Sequence, residues 1–244
     1  MTVAALVLGA GSGSRLRESL SAEAARTAPP TKAFVRLAGK TLMTRSLDAL
    51  CESGACDVIQ PVLPAAELAR WPEIARELAA PGRVAAPVAG GATRQASARA
   101  GLAALPASVT HVAVHDAARP LVRAEDISRV IAAAREHGAA LLAAPLRDTI
   151  HRVAGGAIAA TPAREEHFAA QTPQVFRIDW LREALDKAEQ GGIVGTDDAA
   201  LVARLGVRVH VVVGDPDNLK ITTSADLLLA ELLLAERMRA LGNP

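Results

Sequence analysis

The sequence predicts an α/β protein built on a largely parallel, doubly wound sheet with crossover helices. Three observations carry that reading. Short apolar runs alternate with longer Ala/Leu-rich stretches of helical period. Several of the runs are unbroken, as expected of strands covered on both faces. Strand and helix candidates alternate along the chain, the order that parallel crossovers produce.

The first strand is Val3–Leu8. No positive region precedes its apolar residues and a Gly-rich turn follows, so it reads as a buried strand and not as a signal peptide. The spacing then predicts a helix over Thr41–Glu52, a strand over Val58–Leu63, a helix over Glu67–Ala79 and a strand over Val84–Pro87. A helix over Thr93–Leu105 follows, with Thr93 where an N-cap belongs. After the strand His111–His115 comes a helix over Ala124–His137, closed by Gly138, and then the strand Ala139–Ala144. From Asp148 to Phe168 the alternation stops. DTIHRV and AIAAT flank an Ala-Gly-Gly turn, which predicts a hairpin arm. Helices over Ile178–Glu189 and Asp197–Leu205, a strand over Val207–Val213 and a helix over Ala225–Leu241, capped by Ser224, complete the chain. Ser19–Thr31, with Pro29-Pro30, and Gly242–Pro244 read as flexible.

Composition removes several classes of function. The 27 Lys and Arg nearly cancel the 26 Asp and Glu across 244 residues, which argues against a broad basic face for nucleic acid. Aromatic residues make up 2% of the chain, too few for a base-stacking platform. No run reaches the roughly 18 apolar residues of a membrane span. Cys51 and Cys56 make neither a disulfide framework nor a zinc set and read as reduced thiols of a cytoplasmic protein.

In an open parallel sheet, ligands bind beyond the carboxyl ends of the strands. The first strand runs into Gly9-Ala10-Gly11-Ser12-Gly13-Ser14-Arg15. Such a loop fits either a tight turn or a phosphate cradle of backbone N–H groups, and Arg15 favours the second. The spacing matches neither the dinucleotide fingerprint nor the P-loop. Lys32, after Pro29-Pro30, is either a surface charge or a side chain reaching back to the same phosphates. Gly90-Gly91-Ala92 expose backbone for a flat base edge or form a plain loop, with Ser97 one turn further on. His115-Asp116-Ala117-Ala118-Arg119 ends a strand. Asp116 and Arg119 fit either a polar site or a local ion pair, and His115 either faces that site or packs. Downstream, Gln171-Thr172-Pro173-Gln174, Thr196-Asp197 and Asn218-Leu219-Lys220 follow in order. Each could also be a cap or a turn.

Together these segments resemble the 2-C-methyl-D-erythritol 4-phosphate cytidylyltransferase family, from GAGSGSR through PTKAF, GGATRQAS, VHDAARP, APLRDT, QTPQVF, TDDAAL and DNLKIT. The resemblance implies a single Rossmann-like domain over residues 1–244, with an arm at roughly 146–168 that forms a homodimer. It implies transfer of CMP from CTP to 2-C-methyl-D-erythritol 4-phosphate with release of pyrophosphate, a step of isoprenoid precursor synthesis, with Mg2+ held mainly by CTP and no dedicated metal ligands. Gly9, Ala10, Gly11 and Gly13 would wrap the nucleotide, and Gly90, Gly91, Ala92 and Ser97 would recognise cytosine, with Asp116 and Ala117 nearby. Arg15 and Lys32 match the pair that stabilises the transition state, and Arg164 and Lys220 match those that position the sugar phosphate. Asp116, Arg119, Thr149 and Thr196 match the substrate side. Arg164 and Thr149 come from the arm, of the partner subunit.

The chain departs from the family pattern in three places. Gly9 stands where Ala is common, Ala33 where Gln is common, and Ala92 where an acid is common. The segment between Arg15 and Lys32 is also long. The competing readings are a cytidylyltransferase for another polyol phosphate, such as ribitol 5-phosphate, and a silent nucleotide-binding protein on the same fold.

Overall fold

The computed structural model describes residues 1–11, 14–19, 29, 31–240 and 242. Most of the expected flexible segment Ser19–Thr31 and of Gly242–Pro244 lies outside the described residues, as does Gly13.

Strand β1 (Thr2–Leu8) is the centre of the molecule. Val3, Ala5 and Val7 enter the apolar cluster on one face, and Ala4, Leu6 and Leu8 enter the cluster on the other. A strand buried on both faces has no polar side, which is why its sequence shows no alternation. Around it, among the described residues, a seven-stranded sheet has the order β11-β7-β10-β6-β1-β4-β5. The strands are β4 (Val58–Leu63), β5 (Val88–Ala89), β6 (Val109–Asp116), β7 (Ala139–Pro145), β10 (Phe168–Arg177) and β11 (His210–Val213). All pairings are parallel except those of β10, which runs antiparallel between β6 and β7. The short pair β2 (Arg36–Leu37) and β3 (Lys40–Thr41) lies apart.

Helices cover both faces. Leu47 and Leu50 of α2 (Leu42–Ser53) and Ile127, Val130 and Ile131 of α5 (Ala124–His137) fill one side. The other side takes Leu102 of α4 (Arg94–Ala103), Leu181 and Leu185 of α6 (Ile178–Gln190) and Leu201 of α7 (Asp198–Ala203). A third cluster joins Leu16 of α1 (Ser14–Glu18) to Ile221 and to Ala230 of α8 (Ser224–Ala240), and so anchors the segments on either side of the cleft. The remaining helix, α3 (Trp71–Ala75), is one short piece. The caps follow local chemistry. The Thr93 hydroxyl accepts from the Ala96 N–H at 3.0 Å, and Gly138 ends α5 in the left-handed region at φ 83°.

Four expectations need correction. The helix over Glu67–Ala79 is instead a 3-10 turn, Ala65–Arg70, followed by α3, because Pro72 lacks an N–H and is tolerated only in a first turn. The strand over Val84–Pro87 moves to Val88–Ala89. Val84 makes one isolated bridge to Ile59, and Pro87 cannot donate to a ladder. The last strand begins at His210 and not Val207, since its partner β7 begins only at Ala139, beside His210's partner Ala140. Thr223, not Ser224, caps α8. Its Oγ1 accepts from the Asp226 N–H at 3.2 Å, while Asp226 Oδ2 accepts from the Thr223 N–H at 2.8 Å, a reciprocal capping box.

The arm is a hairpin of β8 (Arg152–Ala154) and β9 (Ala157–Ala160). Gly155 and Gly156 take φ of 58° and 80°, the left-handed pair that a two-residue hairpin turn requires. All residues of both strands are exposed.

Candidate functional site

A cavity of about 510 Å³ opens at the carboxyl ends of β1 and β6. Gly9, Ala10 and Gly11 form one wall, held by the Gly9 N–H donating to Val62 O at 2.8 Å. Gly91, Ala92 and Ser97 form another. The Ser97 hydroxyl accepts from the Gly91 N–H at 3.2 Å and donates to Thr93 O at 2.9 Å, so its first task is to shape this loop. Gly90 lies behind them. A Cβ there would stand 2.7 Å from the Ala10 Cβ and 2.8 Å from the Ser97 Oγ. Gly90→Ala is therefore expected to push the two loops apart and weaken, roughly tenfold or more, binding of the nucleotide that the resemblance implies, the scale of a 1.4 kcal/mol loss. Calorimetric titration with CTP reads this directly. Gly9 meets a similar limit, since a Cβ there would come within 2.4 Å of Met43 Cε and 3.1 Å of Ala33 Cβ. The departures at Gly9 and Ala33 are thus neighbours in space, packed together under Met43.

Arg15, on α1, and Lys32 and Lys220 bring three cations to the same cavity. Lys32 opens a 3-10 turn whose next residues, Ala33 and Phe34, are buried, and its Nζ donates to Ile221 O at 3.1 Å. Arg70 covers the Phe34 ring at 4.0 Å. Burial first, then the charges of Arg15 and Lys220, hold the Lys32 ammonium below its ordinary value of 10.5. Among the described residues that line this cavity, Asp116 is the one carboxylate.

A second cavity of about 250 Å³ adjoins the first and is lined by Arg119, Gln171, Gln174 and Thr196. Arg94, Asp116 and Lys220 line both cavities. Asp116 Oδ2 accepts from Lys220 Nζ at 2.6 Å and Oδ1 from Arg94 Nε at 3.2 Å. Burial pushes the Asp116 carboxyl up, but Arg94 and Lys220 prevail and hold it well below the usual carboxylate range. Arg119 turns instead to the carbonyls of Asn218, at 2.7 Å, and Ala170, at 3.0 Å, so of the two readings of Asp116 and Arg119 the local ion pair is not formed. Ala117 sits on the floor, its N–H donating to Leu8 O at 3.1 Å.

His115 is fully buried, its Nδ1 3.0 Å from the Thr172 hydroxyl, and burial pushes its pKa down to about 4. It is a neutral post under Asp116 and does not face the cavities. Arg164 and Thr149 stay on the arm. Arg164 donates to Arg147 O at 3.0 Å and lies 3.6 Å from Glu165, and neither residue lines either of these two cavities.

Sequence reading quoted the segments that hold Arg94, Asp198, Gln174 and Asn218 but gave these four residues no role of their own. Arg94 Nη1 donates to Asp198 Oδ2 at 2.6 Å. Gln174 donates to Asp197 Oδ2 at 2.8 Å and accepts from the Ala199 N–H at 2.9 Å, clamping the start of α7 beside Thr196. Asn218 Nδ2 donates to Gln171 Oε1 at 3.2 Å and to Thr172 O at 3.1 Å, fixing the segment that carries Lys220. The doubled acids of TDDAAL were the available signal for Asp198, while its partner lies 104 residues away.

The arrangement can hold two anions side by side against a shared cationic wall. The chain's similarities agree with that. A Geobacter metallireducens 2-C-methyl-D-erythritol 4-phosphate cytidylyltransferase is 39% identical over 241 residues, 98% of this chain and all of the relative. A Rhodococcus opacus protein of the same name is 44% identical over 236 residues, 96% of each chain. The crystal structure of the Thermus thermophilus protein of that name superposes with a TM-score of 0.72 at 35% identity, covering 96% of this chain and 98% of that one. A 4-diphosphocytidyl-2C-methyl-D-erythritol synthase from Anaerococcus prevotii gives a TM-score of 0.81 at 26% identity, over 96% and 98%. The model of one family spans residues 3–236, nearly the whole sheet and both cavities, and by that match this chain belongs to the 2-C-methyl-D-erythritol 4-phosphate cytidylyltransferases.

Proposed function

We propose that this protein transfers CMP from CTP to 2-C-methyl-D-erythritol 4-phosphate and releases pyrophosphate, a step of isoprenoid precursor synthesis. The observation that carries the reading is the pair of adjoining cavities with Asp116 and Lys220 in their common wall and Arg15 and Lys32 lining the larger one. CTP occupies the larger cavity, its base against Gly90–Ala92 and Ser97 and its phosphates against Gly9–Gly11. The acceptor phosphate occupies the smaller, near Arg119 and Thr196.

An acceptor phosphate oxygen attacks the α-phosphorus, a new P–O bond forms, and the bond to the β-phosphate oxygen breaks with its electron pair leaving on pyrophosphate. The attacking oxygen is already anionic at neutral pH, so no general base is required. The work is alignment and charge stabilisation. Arg15 and Lys32 stabilise charge at the α-phosphate and the leaving group, and Lys220 holds the acceptor phosphate in line. A magnesium ion fits this chemistry as a companion of the triphosphate and would be held mainly by CTP, since both oxygens of Asp116, the one carboxylate among the described residues lining the larger cavity, already serve Arg94 and Lys220. When bound it would neutralise triphosphate oxygens. Cys51 and Cys56 are buried free thiols, which suits action in the reducing cytoplasm.

The protein acts as a homodimer in this proposal, each arm completing the partner's cleft with Arg164 and Thr149. The support is the arm itself. A two-stranded hairpin is marginal alone, and Val153 and Ile158 are 61% and 63% exposed on it.

The test is coupled pyrophosphate release with CTP, ATP, GTP and UTP, each against methylerythritol phosphate and ribitol 5-phosphate. Release that needs both CTP and methylerythritol phosphate is expected, and CTP turnover indifferent to acceptor would sink the reading. Sharing of the arm has its own measurement. Lys32→Ala and Arg164→Ala dimers are each expected to be nearly inactive, and subunit exchange between them should restore one complete site per heterodimer. No recovery in a verified heterodimer would refute donation across the interface.

A further inference from the structure

We infer that Arg94 is a positioning residue that keeps Lys220 available to the acceptor phosphate, by dividing the charge of Asp116 while anchoring the acceptor loop through Asp198. The inference rests on the proposed reaction and extends it to a residue that need not touch substrate through its charged end.

The geometry is a strut. Arg94 leaves the first turn of α4, directly after the Gly90–Ala92 loop. Its Nε reaches Asp116 at the end of β6, and its Nη1 reaches Asp198 in the first turn of α7, two residues beyond Thr196. One planar guanidinium therefore ties together the loop beside the larger cavity, the strand end between the cavities, and the loop that lines the smaller one. A lysine, a single point charge, could not span both carboxylates.

The charges explain why the strut matters to Lys220. The Asp198 side chain is completely buried, with Oδ2 on Arg94 and Oδ1 without a partner. Asp116 offers one oxygen to Arg94 and the other to Lys220. With Arg94 in place, two cations face two carboxylates, and neither cation has Asp116 to itself. Without it, Asp116 would belong to Lys220 alone and neutralise it. That change weakens acceptor binding more than nucleotide binding, because the CTP phosphates keep Arg15 and Lys32, while the buried Asp198 loses its partner at a cost to the fold.

The experiment compares full-length wild type with Arg94→Gln, Arg94→Lys, Asp198→Asn and the double variant Arg94→Gln/Asp198→Asn. Pyrophosphate release gives KM for each substrate, and thermal unfolding gives Tm. Arg94→Gln is expected to raise the acceptor KM by roughly tenfold to a hundredfold, the range for losing a charged hydrogen bond, with a much smaller change for CTP. Arg94→Lys should fall between. Arg94→Gln should also lower Tm, because it strands Asp198. The double variant removes that buried charge and should recover Tm while keeping the raised acceptor KM. Recovery of the acceptor KM together with Tm would reduce Arg94 to a counter-ion for Asp198 and overturn the inference. An equal rise in both KM values would do the same. Should Arg94→Gln fail to fold, the double variant alone decides. Wild type without acceptor-dependent turnover would mean that the proposed reaction has failed. Calorimetric titration of CTP and of methylerythritol phosphate against the same proteins then reads the Arg94 effect as affinity, and no selective loss for the phosphomonoester would overturn it.

Discussion

Lys32→Met is expected to lower kcat by about 10²–10³, the scale for removing one preorganised donor from a transition state, while leaving Tm unchanged or slightly higher. The two effects have one cause. Burial and the neighbouring Arg15 and Lys220 disfavour the charged ammonium in the folded protein without ligand. A lysine whose folded pKa is depressed gives up its proton more readily folded than unfolded. Between that folded value and the ordinary 10.5, the unfolded chain holds more protons, so stability rises with pH through that window. Below it, the charged Lys32 is a cost that the native state carries for function, and a neutral side chain relieves it. The kcat/KM for CTP, which reports the free protein, should likewise decline on the alkaline side before pH reaches 10.5, as Lys32 loses its proton. Stopped-flow or steady-state kinetics paired with calorimetry separates the two quantities. A variant that loses stability in proportion to activity would make Lys32 a structural residue.

Asp116→Ala should do the opposite and damage the fold as well as the reaction. It removes a buried carboxylate shared by Arg94 and Lys220, leaving Lys220 without that partner and Arg94 with Asp198, in a site that also holds Arg15 and Lys32. Removing one member of a buried, hydrogen-bonded charge set costs about 3–5 kcal/mol. Urea denaturation at neutral pH measures it as a lowered midpoint with an unchanged slope. The pH signature has a definite sign. A carboxyl held below its unfolded value stabilises the protein fully above about pH 3.9, and that contribution disappears as pH falls toward the folded value. Wild type should therefore lose its advantage over Asp116→Ala on acidification. A constant gap between them from neutral pH down to pH 2 would show that the ionised carboxylate is not what stabilises the site.

Much of the frame was legible before any coordinates. The run at Val3–Leu8 is apolar throughout and that at Val58–Leu63 is broken only by Gln60, because both faces of those strands are covered, and their limits could be read to within a residue. The helix Ala124–His137 matched at both ends, since its periodic face and the left-handed Gly138 are local facts. β10 was not legible. Gln171, Thr172 and Pro173 look like a turn, and the strand accommodates them only because its pairing with β7 shifts register between Ala170 and Gln174. The site divides in the same way. The Gly9–Gly11 loop stands out by composition, and Lys32 and Lys220 gain roles from the resemblance that the ordered motifs carry. Arg94 and Asp198 do not, because each resembles an ordinary helix-start residue until the other is seen beside it.

The amino-acid order was enough to establish the layered α/β architecture, the hairpin arm and the glycine loop at the end of the first strand. Those features depend on periodicity, on backbone freedom and on the hydrogen-bonding limits of proline and glycine, all of which act over a few residues. Which carboxylate faces which cation was settled by folding alone. Asp116 passes over Arg119, three positions away, for Arg94 and Lys220, the latter 104 positions away, because the sheet carries those two side chains to the strand end while Arg119 is occupied by the carbonyls of Asn218 and Ala170. In a buried site, distance and desolvation choose the partner, and neither is a property of neighbouring letters.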